Sequence, residues 1–445
     1  MTRSVRSVLR HRSTEAGLLF LAALVIGFAY TLASLGTSSS IPVNIGPFLG
    51  VVLGLFVVAH VAVRRLAPNA DQLILPLAAI LNGLGYVMIA RLNEQLAAQQ
   101  AAWTGAGIIA FIVTLAVIRR VRQFERLRYT VGLIGVLLLV APLIPGVGRQ
   151  INGARIWIRV GPFSLQPGEF AKIALAIFFA AYVVERRELL TTSTWRLGPL
   201  RLPDPRHLAP LLVAWAFSLL VMMFQRDLGS ALLFFVLFLT VLWVGTGRAG
   251  YLAVGGALFG AGVYLAWQRF THVQTRVSMW LDPWQDPTDR GFQIVQATYA
   301  LAWGGVTGAG LGQGIDGRIP YQETDFIFAM IGEELGLLGT TAVLIVFLLI
   351  VGSGFRIATR ATDPFAKLLA CGLTTLIGFQ AFLIMGGVTR LLPLTGVTLP
   401  FVSYGGSSLV SNWILMALLI RLSDEQRRSA TQSAANPPAP VAVSA

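Results

Sequence analysis

The sequence predicts an all-α polytopic membrane protein with about twelve transmembrane helices and one large extracellular loop. Three observations carry this. Of 445 residues, 55% are hydrophobic and 12% charged, with a mean hydropathy of +0.72; soluble domains carry about 25% charged residues. Apolar runs repeatedly approach or exceed the ~20 residues that cross a bilayer. The runs are continuous and lack the dyad alternation of barrel strands, and a backbone in lipid must satisfy its own hydrogen bonds, so helices follow.

In chain order, spans are expected at about 16–36, 46–63, 72–90, 101–118, 129–147, 169–185, 208–224, 228–246, 250–267, 327–354, 366–389 and 404–420. The first has a basic start, "RSVRSVLRHR", but no clear small-residue cleavage site, and reads as a retained helix. "QRDLG" alone separates the seventh and eighth spans, and the longest non-spanning stretch is about 268–326. The tail "SATQSAANPPAPVAVSA" is small and Pro-rich, so residues 423–445 are expected to be disordered.

Orientation follows from Arg and Lys. With the N-terminus cytoplasmic, most of the 34 basic residues fall in short inner connections, as the positive-inside rule requires, and the C-terminus is cytoplasmic too. The net charge of +14 then reflects topology, which argues against a nucleic-acid partner. The single cysteine, Cys371, lies in an apolar span, so neither a disulfide nor a thiol metal site is expected. The four His show no ligand spacing.

On this topology more than half of the 20 acidic residues gather at the outer side or its membrane edge. Ionisable groups at membrane depth are costly and mark functional sites by default. Four clusters stand out. In "QPGEFAKIALA", Pro167 suits a helix start, and Lys172 shares a face with Glu169. This is either a capped helix with an ion pair or a cation placed for an anionic ligand; Lys172 is one of only two lysines. In "FQRDLGSALL", Asp227 is either an N-cap or a group at the membrane edge beside the other outer ends.

The third cluster is the long loop. "DPWQDPTDRG" reads as successive turns, and "FQIVQATYALAWGG" as a surface helix with Phe292, Val295 and Tyr299 on one face. Gln293 and Gln296 then point elsewhere, towards sugar hydroxyls. "GGVTGAGLGQG" resembles a phosphate cradle only in composition; without a Walker lysine it implies no nucleotide cofactor. The fourth is "YQETDFIFAMIGEELG", where Glu323, Asp325, Glu333 and Glu334 cluster around one helix start. Clustered carboxylates raise one another's pKa, attract a divalent cation, and can act as a general base.

"QPGEFAKIALA", "QRDLGSALL", "WLDPWQDPTDRGFQIVQ", "TDFIFAMIGEELG" and "LPLTGVTLPFVSYGGSSL" occur in this order in the SEDS proteins of RodA and FtsW, and the chain resembles that family over roughly residues 70–422. The resemblance implies a ten-helix core at 71–422, with residues 1–70 adding two further helices. It implies a peptidoglycan glycosyltransferase that polymerises lipid II at the outer face of the cytoplasmic membrane, beside a class B penicillin-binding protein. It makes Asp325 the catalytic residue and brings Glu169, Lys172 and Asp227 into the site. Arg226 stands where the family usually has Pro, and Ile384 where it often has Asn. "GGVTRLLPLTG" is more similar to the RodA subgroup, acting in cell elongation, than to the FtsW subgroup of division.

The chemistry is consistent with these residues. A sugar 4-hydroxyl needs a base, and Asp325 would take its proton as the oxygen attacks the anomeric carbon of an undecaprenyl-linked glycan. The pyrophosphate leaving group needs cations: Lys172, Arg155, Arg276 or Arg390, or a divalent metal (Mg or Mn) held by Asp325 with neighbouring acids. Displacement inverts the α-linked donor to a β-1,4 product. Glu333, Ser403, Gly405 and Gly406 complete the substrate-binding candidates, the glycines either for close backbone approach or for tight helix packing. The rival readings are a lipid II flippase, whose charges would line both sides of the midplane, and a non-catalytic scaffold, in which Asp325 would be replaceable.

Overall fold

The structure is a computed structural model and describes residues 13–38, 45–151, 153–161, 163–191, 195–197, 200–202, 205–315 and 317–435. The chain forms helices α1 (Ser13–Ser38), α2 (Ile45–Leu66), α3 (Ile74–Leu92), α4 (Glu94–Val117), α5 (Arg128–Val140), α6 (Gly168–Glu185), α7 (Pro205–Gln225), α8 (Leu228–Thr246) and α9 (Gly250–Arg269). The long loop carries α10 (Thr271–Leu281) and α11 (Phe292–Gly304), and α12 (Ile327–Arg360), α13 (Pro364–Val388) and α14 (Gly406–Ala435) follow. Each of the twelve expected spans falls on a helix. Among the described residues, nine are long and apolar enough to cross a membrane. The apolar parts of α5 and α7 are shorter, so the count of twelve is not reached by length and composition alone.

Burial divides the bundle into centre and rim. Helices α3, α6, α13 and α14 are buried along most of their length, while α9 is almost wholly exposed. Their surfaces explain this. Helix α6 is Ala-rich and packs against α5, α8 and α13. Trp413 of α14 sits fully buried among Phe56, Phe111 and Phe401, and its indole N–H donates to Asn82 Oδ1 at 3.0 Å. A buried indole needs such a partner.

The mostly helical fold also carries small sheets: β1 (Gly148–Ile151), β2 (Ala154–Val160) and β3 (Phe163–Leu165) form an antiparallel sheet in the order 1-2-3 after α5, with Ile158 facing both Gly148 and Leu165. A second hairpin pairs β4 (Trp195–Leu197) with β5 (Leu200–Leu202). The tail also stays helical to Ala435 rather than ending at residue 422. Its polar residues are tied to other elements: Asp424 Oδ1 accepts from Asn69 N at 2.9 Å and Glu425 Oε1 from Val121 N at 2.7 Å, and Arg427 reaches Asp71. Residues 436–445 lie outside the described residues.

Candidate functional site

The site begins with a broken helix. Gly336, with φ 64 and ψ −161, divides α12 into a short limb and a long one. A break releases helical N–H and C=O groups, and at membrane depth these must be satisfied by protein. The Gly-rich loop after α11 does so. Leu337 N and Leu338 N donate to Gly305 O (2.9 Å) and Val306 O (3.1 Å), while Glu333 O and Glu334 O accept from Ala309 N (2.9 Å) and Gly310 N (3.0 Å).

The two glutamates of "GEEL" hold this loop with their side chains. Glu334 Oε2 accepts from Gly312 N at 2.9 Å, and Oε1 lies 2.8 Å from Arg91 Nε, both side chains buried. Arg91 also donates to Gly314 O at 2.5 Å. Glu333 Oε1 receives Ile315 N at 3.4 Å. Of the four acids gathered at this helix start, Glu333 and Glu334 are therefore engaged with the loop. Arg91 was not singled out in the sequence, because an arginine in the last turn of a helix looks like ordinary dipole compensation.

Asp325 lies directly before the short limb of α12, held from two sides. Ser403 Oγ donates to Thr324 O at 2.6 Å and accepts from Leu399 N at 2.9 Å; Tyr404 N donates to Glu323 O at 2.8 Å. Ser403 thus positions Asp325 rather than facing substrate. Gly396, in the loop between α13 and α14, has φ 75; a Cβ there would stand 3.9 Å from Asp325 Oδ2 and 3.7 Å from Arg276 Nη2. Glycine takes this backbone at little cost.

Arg276, on α10, is fixed by donating Nη1 to Leu394 O (3.0 Å) and Thr395 O (2.9 Å). It is close enough to Asp325 and Asp227 that both acids raise its proton affinity, although burial, the larger effect, lowers it. Burial also pushes the Asp325 carboxyl up to about 6, with Glu323 adding to the rise; the Thr324 hydrogen bond and the Arg276 charge oppose it. Asp227 caps α8 by accepting from Ser230 N at 2.9 Å, and its carboxyl too is raised, chiefly by burial. Asp227 is both the N-cap and a member of the charged row, so its two readings hold together.

Lys172 behaves differently from a ligand-facing cation. Its side chain is 2% exposed, with Nζ 2.6 Å from Glu169 Oε2 and 2.8 Å from Gln380 Oε1. Ser411 donates to the same Glu169 oxygen at 3.0 Å, and Gln380 Nε2 donates to Thr398 O at 2.8 Å. The knot joins α6, α13 and α14 beneath the loop that holds Arg276. Burial draws Lys172 into this pair, so the ion-pair reading of "QPGEFAK" holds and Lys172 is not presented to a leaving group.

The remaining candidates are engaged elsewhere. Arg155 lies on β2 and reaches towards Ile144 O. Arg390 points to Trp280 O and Leu281 O at 3.3 Å each, and its own carbonyl accepts from Trp280 Nε1 at 2.9 Å, fastening α10 to the end of α13. Gln296 accepts from Arg318 Nε at 2.7 Å, and Gln293 reaches Pro320 O at 3.4 Å, so both brace the loop. Helix α11 buries Ile294, Val295, Ala297 and Ala300 while Tyr299 is exposed, which rotates its apolar face away from the expected one. Helix packing decides Gly406: a side chain there would collide with the Trp103 ring. A Cβ on Gly405 would stand 3.3 Å from Thr398 Cγ2, a tight contact. Asp316 lies outside the described residues. Among the described residues no three His, Cys, Asp or Glu side chains group as metal ligands, and the charge beside Asp325 is a guanidinium.

Fold and site together define a polytopic membrane protein in which a partly buried acid, Asp325, stands beside a fixed guanidinium at the loop-bearing end of the bundle. Residues 71–428 match the model of the FtsW/RodA/SpoVE family, described as cell cycle protein, and the chain belongs to that family. It is 44% identical to the peptidoglycan glycosyltransferase RodA of Mycobacterium tuberculosis over 428 residues, covering 94% of this chain and 91% of that one. The probable peptidoglycan glycosyltransferase FtsW of Geobacter metallireducens is 35% identical over 370 residues, or 80% of this chain and 95% of the other. Two solved structures share the fold. A chain from a peptidoglycan synthase complex that coordinates polymerization and crosslinking superposes with a TM-score of 0.66 at 26% identity, covering 80% of this chain and 98% of its own. The rod shape determining protein RodA of Thermus thermophilus gives 0.56 at 24%, covering 80% and 97%.

Proposed function

We propose that this chain is a peptidoglycan glycosyltransferase of the RodA type, with Asp325 as its general base. One arrangement carries the reading of the site: Asp325 lies close to a guanidinium held in place by two carbonyls, in surroundings that lift its carboxyl to about 6. A base poised near working pH is what proton abstraction from an alcohol requires. The match to RodA at 44%, against 35% for FtsW, favours the elongation type over the division type.

The acceptor is the C4 hydroxyl of lipid II, and the donor a glycan strand on a polyprenyl pyrophosphate. Asp325 takes the hydroxyl proton as the C4 oxygen bonds to the anomeric carbon. The anomeric C–O bond breaks, and its electron pair leaves with the pyrophosphate. Attack opposite the leaving group inverts the α donor to a β-1,4 product. Arg276 compensates the charge that develops on the pyrophosphate, with no reorganisation because the carbonyls of Leu394 and Thr395 already orient it. A divalent cation, Mg or Mn, brought in with the pyrophosphate remains part of the proposal. The positive-inside pattern supports a cytoplasmic-membrane protein with both termini inside and this site on the outer face. The partner is a class B penicillin-binding protein that cross-links the product, supported by the likeness to a synthase complex joining polymerization to crosslinking.

The test is polymer formation. Purified protein with its transpeptidase partner is given lipid II, and Asp325→Ala is compared with wild type. Loss of glycan strands with unchanged melting is expected; equal polymer from both would end the enzymatic reading of Asp325.

A further inference from the structure

The family match begins at residue 71, leaving α1 and α2 outside it. Helix α1 is nevertheless built into the core. Tyr30 stacks on Tyr86 of α3 with ring centroids 6.5 Å apart, and Ile26 fills the space over Gly83. At the loop-bearing end its last turn meets the Gly-rich loop that satisfies the broken α12. Gln313 Nε2 donates to Gly36 O at 2.7 Å. Leu311 O lies so close to Gly36 that a side chain there would collide with it. On the loop side, a Cβ on Gly312 would stand 2.9 Å from Thr37 Oγ1 and against Ala33 O.

The opposite side of the same loop rests on Arg91 and Glu334: Gly312 N donates to Glu334, and Gly314 O accepts from Arg91. Residues 311–314 are therefore held between α1 and the Arg91–Glu334 pair, and Glu334 belongs to the short limb of α12 that begins two residues after Asp325.

We propose that α1 is a positioning element for Asp325, clamping the Gly-rich loop onto the short limb of α12 and so fixing Asp325 relative to Arg276. Neither α1 nor the clamped loop touches reacting atoms, so the clamp acts on kcat rather than on substrate affinity. The inference rests on the reading of Asp325 as the base.

The test uses the full-length protein with its transpeptidase partner, carrying Gly36→Val, Gln313→Ala or the control Gly27→Val, which adds the same side chain to α1 where nothing lies within 4 Å. Backbone amide exchange across 305–315, kcat and KM for lipid II, and the acid midpoint of the pH–rate profile are measured. For Gly36→Val, exchange across 305–315 quickens, kcat falls about tenfold, or about 1.4 kcal/mol of barrier, and KM stays within about twofold. Gln313→Ala, which removes one exposed hydrogen bond, gives a smaller change in the same direction and decides the question if Gly36→Val does not fold. Gly27→Val matches wild type. Unchanged exchange or unchanged kcat in Gln313→Ala and Gly36→Val would overturn the clamp, as would a loss confined to KM, or equal damage from Gly27→Val. Exchange reads the clamp without catalysis, so a polymerising Asp325→Ala would remove the base and leave the clamp standing.

Discussion

Asp325 shows how one side chain acquires its chemistry from what surrounds it. The carboxyl is raised to about 6 by burial, and Arg276 restrains the rise. A base works deprotonated, so kcat/KM should fall about tenfold per pH unit below a midpoint near 6 and level off above it. Removing the guanidinium removes the restraint. In Arg276→Gln the acid midpoint should move to higher pH, with a lower plateau from lost charge compensation; a midpoint that stays put would show that the two groups do not act on one another. Glu169 and Lys172 teach the opposite lesson. Their spacing is that of a functional pair, yet burial turns them into a brace for the loop that holds Arg276.

At the scale of the element, the kink in α12 matters most. A 34-residue helix that breaks at Gly336 cannot stand alone in lipid, and the Gly-rich loop exists to satisfy it. Gly336→Ala should unfold this junction, because the alanine would be strained at φ 64 and its Cβ would stand 2.5 Å from Val306 O. Glu334→Ala leaves Arg91 buried without its carboxylate, a loss of about 3–5 kcal/mol where one partner of a buried pair is removed. Both variants should lower the melting temperature in detergent by several degrees, and Glu334→Ala should be partly restored by Arg91→Met, which removes the stranded charge. Equal melting of Glu334→Ala and wild type would contradict the buried pair.

Across the whole molecule, charge sets orientation and the helix ends set the site. Arg290 lies in the long loop and Arg428 near the end of α14, at opposite ends of the bundle on this topology. Cys371 is buried, so it contributes little background to labelling. Arg290→Cys should react with a membrane-impermeant maleimide in intact cells, and Arg428→Cys only after permeabilisation. The reverse pattern would place the site on the cytoplasmic side and remove the outer-face chemistry.

The spans, the inner and outer sides and the candidate acids could be read from residues because hydropathy, charge asymmetry and motif are local properties of the chain. Every expected span falls on a helix, and Asp325, Asp227 and Arg276 share one site. Folding alone decided which charges gather around Asp325 and which are consumed as structure. Glu333, Glu334, Lys172, Arg390, Gln293 and Gln296 all find partners on distant segments, Glu334 on Arg91 and Lys172 on Gln380 among them. A polar group in the interior of a bundle must be paired, and its partner is chosen by how helices far apart in the chain come together.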